Sequence, residues 1–295
     1  MNEIKIAPPI ILDGRPLRDQ GALRLKELIS VAVVKPTLAI LQVGNLPESC
    51  AYIEKKGKFA EMIGARVIHV QFPDTVSEDT LVDAIDGLNR DVEVQGIIVQ
   101  LPIPDQLNKQ KILDTISIAK DTDGLTSGNK ELFEVGDPRA VVPATARGVL
   151  SLLTGYGISI RGKKATVIGR SALVGAPIAT LLRREGALVT VCHSKTENVP
   201  EKSRQSDILI VAIGRPNFVN KEYVTPDQTV IDVGINSTEG VKLDEEIPKR
   251  KLVGDVDFEA VNGVVGAISP VPGGVGPMTV LSLFENLIDA CKLSL

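Results

Sequence analysis

KATVIGRSALVGAP, residues Lys164–Pro177, decides the class of fold. Lys164–Ile168 is a short apolar run rich in β-branched residues, which reads as a buried strand. Gly169–Pro177 reads as a turn into a helix, and Ala187–Cys192 (ALVTVC) as the next strand. Strand, helix and strand in this order form a βαβ unit, whose turn is where a dinucleotide pyrophosphate meets a helix N-terminus. The glycines depart from the common fingerprint. Laid on G-x-G-x-x-G, the chain offers Gly169, Ser171 and Val174, and Gly175 comes one place late.

Beyond the second strand, an NAD enzyme usually carries a carboxylate for the ribose hydroxyls. This chain has His193-Ser194-Lys195-Thr196 and no carboxylate before Glu197. With Arg170 in the turn, the site suits the 2′-phosphate of NADP better than NAD, since cation and hydroxyl both donate to phosphate. Cys192 and His193 are strand neighbours facing opposite ways, which speaks against a dyad or shared metal. Further strands are expected at Asp207–Ile213, Thr229–Val233 and Leu252–Val253. The loops that end them, Gly214-Arg215-Pro216, Gly234-Ile235-Asn236 and Gly254-Asp255-Val256-Asp257, should line the cofactor crevice. SPVPGGVGPMT (Ser269–Thr279) follows, then a helix Val280–Lys292 capped by Thr279 or the residues just before it.

Upstream, Leu23, Leu25, Leu28 and Ile29 lie at helical spacing within a helix Leu17–Val33. Thr37–Val43 (TLAILQV) reads as a buried strand. Asn45 and Glu48 fit a capping box with Pro47 in the first turn, so a helix should begin near Leu46. Ser49, Tyr52 and Lys56 then share one helical face. Spacing alone leaves open whether this is a ligand site or a solvated face. A strand Arg66–Phe72, a helix Ser77–Leu88 and a strand Gly96–Val99 follow, which predicts a parallel sheet covered by helices. Its strand ends should bring Gln100 toward Lys56. His69 reads as a packed or edge histidine. In Lys120-Asp121-Thr122-Asp123-Gly124, an extended chain would point Asp121 and Asp123 the same way, toward a metal or a polar heterocycle. A solvated turn is the other reading, and a calcium loop is excluded because Leu132 stands where its closing glutamate belongs.

The 295 residues suggest two domains, and 43% apolar with 24% charged residues is ordinary for a globular enzyme. A net charge of -4 argues against nucleic acid as a partner. Cys50, Cys192 and Cys291 are odd in number and far apart, which points to a reducing, cytoplasmic setting with no structural disulfide or zinc. Glu3 and the early prolines do not fit a signal peptide. The uncharged stretch Ala260–Phe284 is long enough to span a bilayer, but Pro270, Pro272, Pro277 and several glycines make it loop, so no membrane is expected.

Taken together, these motifs resemble the methylenetetrahydrofolate dehydrogenase/cyclohydrolase family, known in bacteria as FolD. The resemblance rests on Ser49-x-x-Tyr52-x-x-x-Lys56, Gly96-Ile-Ile-Val-Gln100-Leu-Pro-Ile-Pro104, Lys120-Asp-Thr-Asp-Gly124, Gly169-Arg-Ser-x-x-Val-Gly-x-Pro177, Cys192-His-Ser-Lys-Thr196, Asp232-Val-Gly-Ile-Asn236, Gly254-Asp-Val-Asp257 and Pro270-Val-Pro-Gly-Gly-Val-Gly-Pro-Met-Thr279. They stand in the family's order from end to end. What the resemblance implies is a two-step enzyme. It oxidises 5,10-methylenetetrahydrofolate with NADP to the methenyl form, then hydrolyses that to 10-formyltetrahydrofolate, a reaction of one-carbon metabolism and purine biosynthesis.

By the same resemblance, Lys56 is the acid/base of hydrolysis, Tyr52 stacks on the folate, Gln100 tunes the lysine and Asp123 holds the pterin edge. Ser49, Val99, Leu101, Pro272, Gly273 and Gly276 would complete the folate site. Thr145, Gly169, Arg170, Ser171, Val174, His193, Ser194, Ala212, Ile213, Gly234, Ile235, Gly276 and Thr279 would bind NADP, and no metal is implied. The expected architecture is two α/β domains. Residues 1–139 with 275–295 would form the folate domain and residues 140–274 a Rossmann domain, the last helix returning to the first domain and the dimer forming through the Rossmann domains. One departure stands out. The family usually has Pro-Cys-Thr-Pro where this chain reads Pro143-Ala144-Thr145-Ala146, which keeps the threonine but changes the packing. A short-chain dehydrogenase also pairs tyrosine with lysine, but after its nucleotide turn, and here the order is reversed. A one-activity NAD-linked relative and a non-catalytic dinucleotide sensor are the alternatives; keeping both Lys56 and Gln100 argues against the first, and the second leaves the convergence of Tyr52, Lys56, Gln100 and Asp123 unexplained.

Overall fold

The computed structural model describes residues 8–239 and 250–293. Glu3, used above in reading the N-terminus, lies outside them. In chain order the elements are β1 (Ile10–Ile11), α1 (Gly14–Ser30), β2 (Thr37–Val43), α2 (Pro47–Ile63), β3 (Arg66–Phe72), α3 (Glu78–Arg90), β4 (Gly96–Gln100), α4 (Lys109–Asp114), α5 (Ser127–Val135) and α6 (Ala144–Gly155). Then come β5 (Lys164–Ile168), α7 (Gly175–Arg184), β6 (Leu188–Cys192), α8 (Val199–Arg204), β7 (Ile208–Val211), β8 (Thr229–Asp232), β9 (Asn236–Glu239), β10 (Arg250–Val253), α9 (Phe258–Val261), β11 (Ala267–Ile268) and α10 (Val275–Leu293). The chain divides into two compact units. One is Arg18–Ala144 with the chain from Val280 onward; the other is Thr145–Thr279 with the residues up to Leu17.

In the unit of Arg18–Ala144, three parallel strands pair in the order β3-β2-β4. Every residue of β2 is buried, as a parallel strand covered on both faces requires. Ala39, Leu41 and Val43 alternate onto one face, where Ile97 and Val99 of β4 join Leu81 and Ile85 of α3 and Ile112 and Leu113 of α4. Ser77 caps α3 by accepting from the Thr80 amide. In the same unit the rings of Phe59 on α2 and Phe284 on α10 lie 5.3 Å apart. His69 is on the edge strand β3 and exposed, with Nε2 2.9 Å from Gln42 Oε1.

The other unit is a six-stranded sheet in the order β1-β11-β8-β7-β5-β6, with each adjacent pair parallel. Its core gathers Leu209, Val211 and Val230 with Ile168, Cys192 and Ile268. The two edge-side strands β1 and β11 were not anticipated, because two residues carry no periodicity.

Several expectations need correction. Asn45 is not a cap: Leu46 takes the N-cap position without a side-chain bond, and Asn45 Oδ1 accepts from the Cys50 thiol at 3.0 Å. Pro47 pushes Leu46 to extended backbone and brings no amide of its own to cap. Helix α1 runs three residues earlier than expected at each end, and Leu23 and Leu28 face outward while Ala22 and Leu25 are buried. Thr279 does not cap the last helix, which starts at Val275; the Thr279 hydroxyl donates back to the Val275 carbonyl at 3.3 Å. Pro277 is tolerated because an amide in the first turn has no helical partner to lose. The stretch Ala260–Phe284 is therefore loop only in part, and none of the described helices is long and apolar enough to cross a membrane. Finally, β10 does not extend the parallel sheet. It pairs antiparallel with β9, since the short connection between them leaves no room for a crossover.

Candidate functional site

Strand β2 ends at Val43, and α2 follows and carries Tyr52 and Lys56. On the neighbouring strand β4, Gln100 is the last paired residue, opposite Gln42. This register delivers Gln100 to the lysine: Lys56 Nζ donates to Gln100 Oε1 at 2.9 Å. The other half of the carboxamide is committed too, because Gln100 Nε2 donates to the Leu101 carbonyl at 2.9 Å and so aims the oxygen at the amine. Burial lowers the Lys56 pKa from the usual lysine range, and the negative charge of Asp123 opposes that shift. Asp123 is pushed up by burial, pulled down by Lys56 and pushed up by Asp121. Amine and carboxyl thus share one desolvated place, where each opposes the effect of burial on the other.

Tyr52 lies one turn before Lys56, half-buried, with its phenol pKa raised by burial. Lys55 Nζ sits 5.3 Å from its ring centroid. Ser49 and Val99 are buried. Leu101 precedes a cis peptide bond to Pro102, and a second cis bond joins Val271 to Pro272. Pro272, Gly273 and Gly276 belong to the unit of Thr145–Thr279.

The expectation that Asp121 and Asp123 point together from an extended chain fails. A turn of 3-10 helix, Ile118–Lys120, leads into Asp121, whose carboxylate accepts from the amides of Gly124, Leu125 and Thr126 at 2.9, 3.1 and 2.8 Å. Asp121 is spent on folding the loop, and only Asp123 faces Lys56. Behind the loop, Asn286 Nδ2 donates to the carbonyls of Thr122 and Val142 at 2.9 and 3.0 Å, and the Ala144 amide donates to the Asp123 carbonyl at 3.2 Å. Asn286 was missed because nothing local marks an asparagine on a distant helix. Asp121 was legible: an aspartate followed at the third place by glycine is an Asx-turn signal. Among the described residues, no three His, Cys, Asp or Glu side chains come together as a metal site.

The second cluster lies at the carboxyl ends of the parallel strands. Gly169, Arg170 and Ser171 follow β5, His193 and Ser194 follow β6, Ala212 and Ile213 follow β7, and Gly234 and Ile235 follow β8. Because β8, β7, β5 and β6 are adjacent and parallel, these loops share one edge, where β5 sits between strands reached by opposite crossovers. Gly169 has φ +120 and no room for a side chain beside the Ala212 carbonyl. Gly175, the first residue of α7, packs directly on the Gly169 carbonyl, where a Cβ would overlap its oxygen. The glycine that lets helix and strand approach is therefore present, displaced by one longer turn. Val174 precedes α7 at the N-cap without a side-chain bond, and Arg170 and Ser171 stand exposed before it. This cradle fits a pyrophosphate. Around the next loop, the His193 amide donates to Thr196 Oγ1 at 3.0 Å and the Lys195 amide to His193 Nδ1 at 3.1 Å, with Ser194 and Lys195 exposed. Cys192 is buried, and burial raises its thiol pKa. Thr145 lies in the first turn of α6, and Ala144 and Ala146 beside it are both 1% exposed, so the alanines simply extend the buried face.

Residues 12–123 match the family described as tetrahydrofolate dehydrogenase/cyclohydrolase, catalytic domain, and residues 143–295 match its NAD(P)-binding domain. The chain is 42% identical to the bifunctional protein FolD of Methanoculleus marisnigri over 284 residues, covering 96% of this chain and 97% of that one. Among solved structures, the bifunctional FolD methylenetetrahydrofolate dehydrogenase/cyclohydrolase of Campylobacter jejuni is similar with a TM-score of 0.88 at 38% identity, covering 97% and 99% of the two chains. The Trypanosoma brucei FolD complexed with NADP and an inhibitor gives a TM-score of 0.92 at 34% identity, covering 98% and 99%.

Proposed function

Because the chain belongs to the tetrahydrofolate dehydrogenase/cyclohydrolase family, we propose that it oxidises 5,10-methylenetetrahydrofolate with NADP and then hydrolyses the methenyl product to 10-formyltetrahydrofolate. The observation that carries both steps is the Lys56–Gln100 bond beside Asp123, in a chain that also has the glycine-cradled helix start of α7. On this reading, the unit of Arg18–Ala144 with the chain from Val280 onward is the folate-binding catalytic domain. The unit of Thr145–Thr279 is the nucleotide domain.

NADP, when bound, would supply the acceptor for the hydride that leaves the methylene carbon. The protein's part in that step is alignment, since no proton moves. Gly169, Arg170, Ser171 and Val174 would hold the pyrophosphate, and Arg170, His193 and Ser194 the ribose phosphate. Thr145, Ala212, Ile213, Gly234, Ile235, Gly276 and Thr279 would line the nicotinamide end. Hydrolysis needs a base. Neutral Lys56 takes a proton from the water that attacks the cationic methenyl carbon, and as ammonium it returns that proton to N5 as the carbon–N5 bond breaks, while the adduct's hydroxyl proton leaves to solvent and the formyl C=O forms. Gln100 accepts from the amine in either state and fixes its direction. Tyr52 stacks on the pterin, Asp123 takes two hydrogen bonds from its amino-pyrimidine edge, and Ser49, Val99 and Leu101 shape the rest. The test is a coupled absorbance assay with methylenetetrahydrofolate and either NADP or NAD. NADP is expected to be reduced in preference, without build-up of methenyl; lasting methenyl would leave a dehydrogenase only.

Asp123 also sets the pH profile of hydrolysis. The rate should rise with pH as Lys56 loses its proton and level off above its pKa. Removing the carboxylate removes the influence that raises that pKa, so in Asp123→Asn the rising limb moves to lower pH. The same change should raise KM for folate by about tenfold or more, through loss of a charge-assisted pair. A limb that stays put or moves upward would separate Asp123 from the base.

We infer further that the protein is cytoplasmic and forms a homodimer through the nucleotide unit, with edge strand β6 at the interface, where Leu188 is 64% exposed. Light scattering should give twice the chain mass, and Leu188→Lys should reduce it to one.

A further inference from the structure

The buried carboxylate of Asp255 is not used by any step above, yet it accepts four hydrogen bonds. It follows β10 and is 0% exposed. Asp255 Oδ2 accepts from the amides of Ile213 and Gly214 at 2.7 and 2.9 Å, and Oδ1 accepts from the Arg215 amide at 2.7 Å and from Asn236 Nδ2 at 2.9 Å. Three successive backbone N–H groups turned on one anion make a nest, the concavity that loops of this kind use to hold phosphate. Here Gly214, with φ +65, supplies the left-handed step, and the protein's own carboxylate fills the nest. The loop after β7 is thereby closed to outside anions and fixed in shape. Through Asn236 the same carboxylate ties the loop after β8.

A second buried carboxylate holds Asp255 in turn. Asp232, at the end of β8, accepts from the amides of Gly234, Asp255 and Val256 at 2.9, 3.0 and 2.9 Å. Burial pushes its pKa up to about 7, against the pull of those amides, and the nearby Asp255 charge adds to the rise. The backbone of Asp255 is closed off as well, its carbonyl accepting from the Val219 amide at 3.0 Å.

We propose that Asp255 is a positioning residue for the cofactor: its nest with Ile213, Gly214 and Arg215, and its bond to Asn236, hold the two loops that carry Ile213 and Ile235 in the shape that receives the nicotinamide end. The inference rests on the reading of this edge as the NADP site.

Asp255→Asn keeps the shape but turns an amino group toward N–H donors, so at least one donor of the nest is left opposed. The experiment is a titration of wild type and variant with NADPH, read by its fluorescence, together with separate rates of NADP-linked oxidation and of methenyl hydrolysis. Asp255→Asn is expected to weaken NADPH binding and raise KM for NADP by about tenfold or more, while hydrolysis, whose Lys56, Gln100 and Asp123 lie in the other unit, changes by less than about twofold. Asn236→Ala keeps the amide nest and removes one donor, so its NADPH affinity should fall between wild type and Asp255→Asn; it serves alone where Asp255→Asn does not fold. NADPH affinity unchanged in Asp255→Asn, or in Asn236→Ala when that variant stands alone, would overturn the proposal, as would equal losses of binding and hydrolysis. Failure of the wild type to bind NADPH would instead overturn the reading of the site itself.

Discussion

Lys56→Met is expected to abolish hydrolysis and spare oxidation, so that methenyltetrahydrofolate accumulates where the wild type lets it pass. Methionine keeps the length and most of the volume of lysine and removes only the amine. The loss follows from two features of the site. The amine is the group whose pKa burial lowers, which favours the neutral form a base needs, and Gln100 Oε1 aims at it from 2.9 Å. Removing a positioned general base costs about 10²–10⁴-fold in the step that uses it. Oxidation needs no proton transfer and should fall by less than about tenfold, the part due to Gln100 losing its donor and to altered charge beside Asp123. The two products are read separately, reduced cofactor and methenyl each by its own absorbance. If hydrolysis survives in Lys56→Met, the base lies elsewhere. If both steps fall together, Lys56 is a folate-binding residue rather than the base.

Much of this site could be read from the chain alone, and the reasons are local. Thr37–Val43, Arg66–Phe72 and Lys164–Ile168 were bounded as the structure has them, because each is a β-branched run closed by glycine, proline or charge. The approach of Gln100 to Lys56 followed from topology: parallel neighbours place their carboxyl ends together, whatever their separation in sequence. What failed was read from capping signals that compete with proline. Asn45 and Thr279 are good caps by residue type, but Pro47 and Pro277 fit the first helical turn better and drew the helix starts to themselves. The Asp255 nest was invisible for a different reason. Its donors are backbone amides of Ile213–Arg215, and a backbone amide has no letter in the sequence. Asp255 looked like part of a loop facing the cofactor, whereas its side chain is buried beneath that loop.

Gly175→Ala should weaken oxidation through cofactor binding and leave hydrolysis in place. The residue opens α7 in the cofactor turn, and an added Cβ would overlap the Gly169 carbonyl oxygen, 2.6 Å from its carbon and 3.0 Å from the Arg170 amide nitrogen. These are backbone atoms at the end of a central strand and cannot swing aside. Gly169 itself has no slack, held at φ +120 against the Ala212 carbonyl. The helix start must therefore shift, and overpacking of this kind costs about 1–3 kcal/mol. If that strain is relieved by moving the turn, NADP affinity falls by about tenfold to a hundredfold, since each factor of ten is about 1.4 kcal/mol. Gly263→Ala is the control in the same unit, a glycine with open space beside it and no positive φ, and it should leave both activities unchanged. Hydrolysis should persist in both variants, because Lys56, Gln100 and Asp123 stand in the other unit. Calorimetric titration with NADP distinguishes the outcomes: weaker binding in Gly175→Ala alone makes the interlocked pair Gly169–Gly175 the pyrophosphate cradle, and unchanged binding would place the cofactor away from the start of α7.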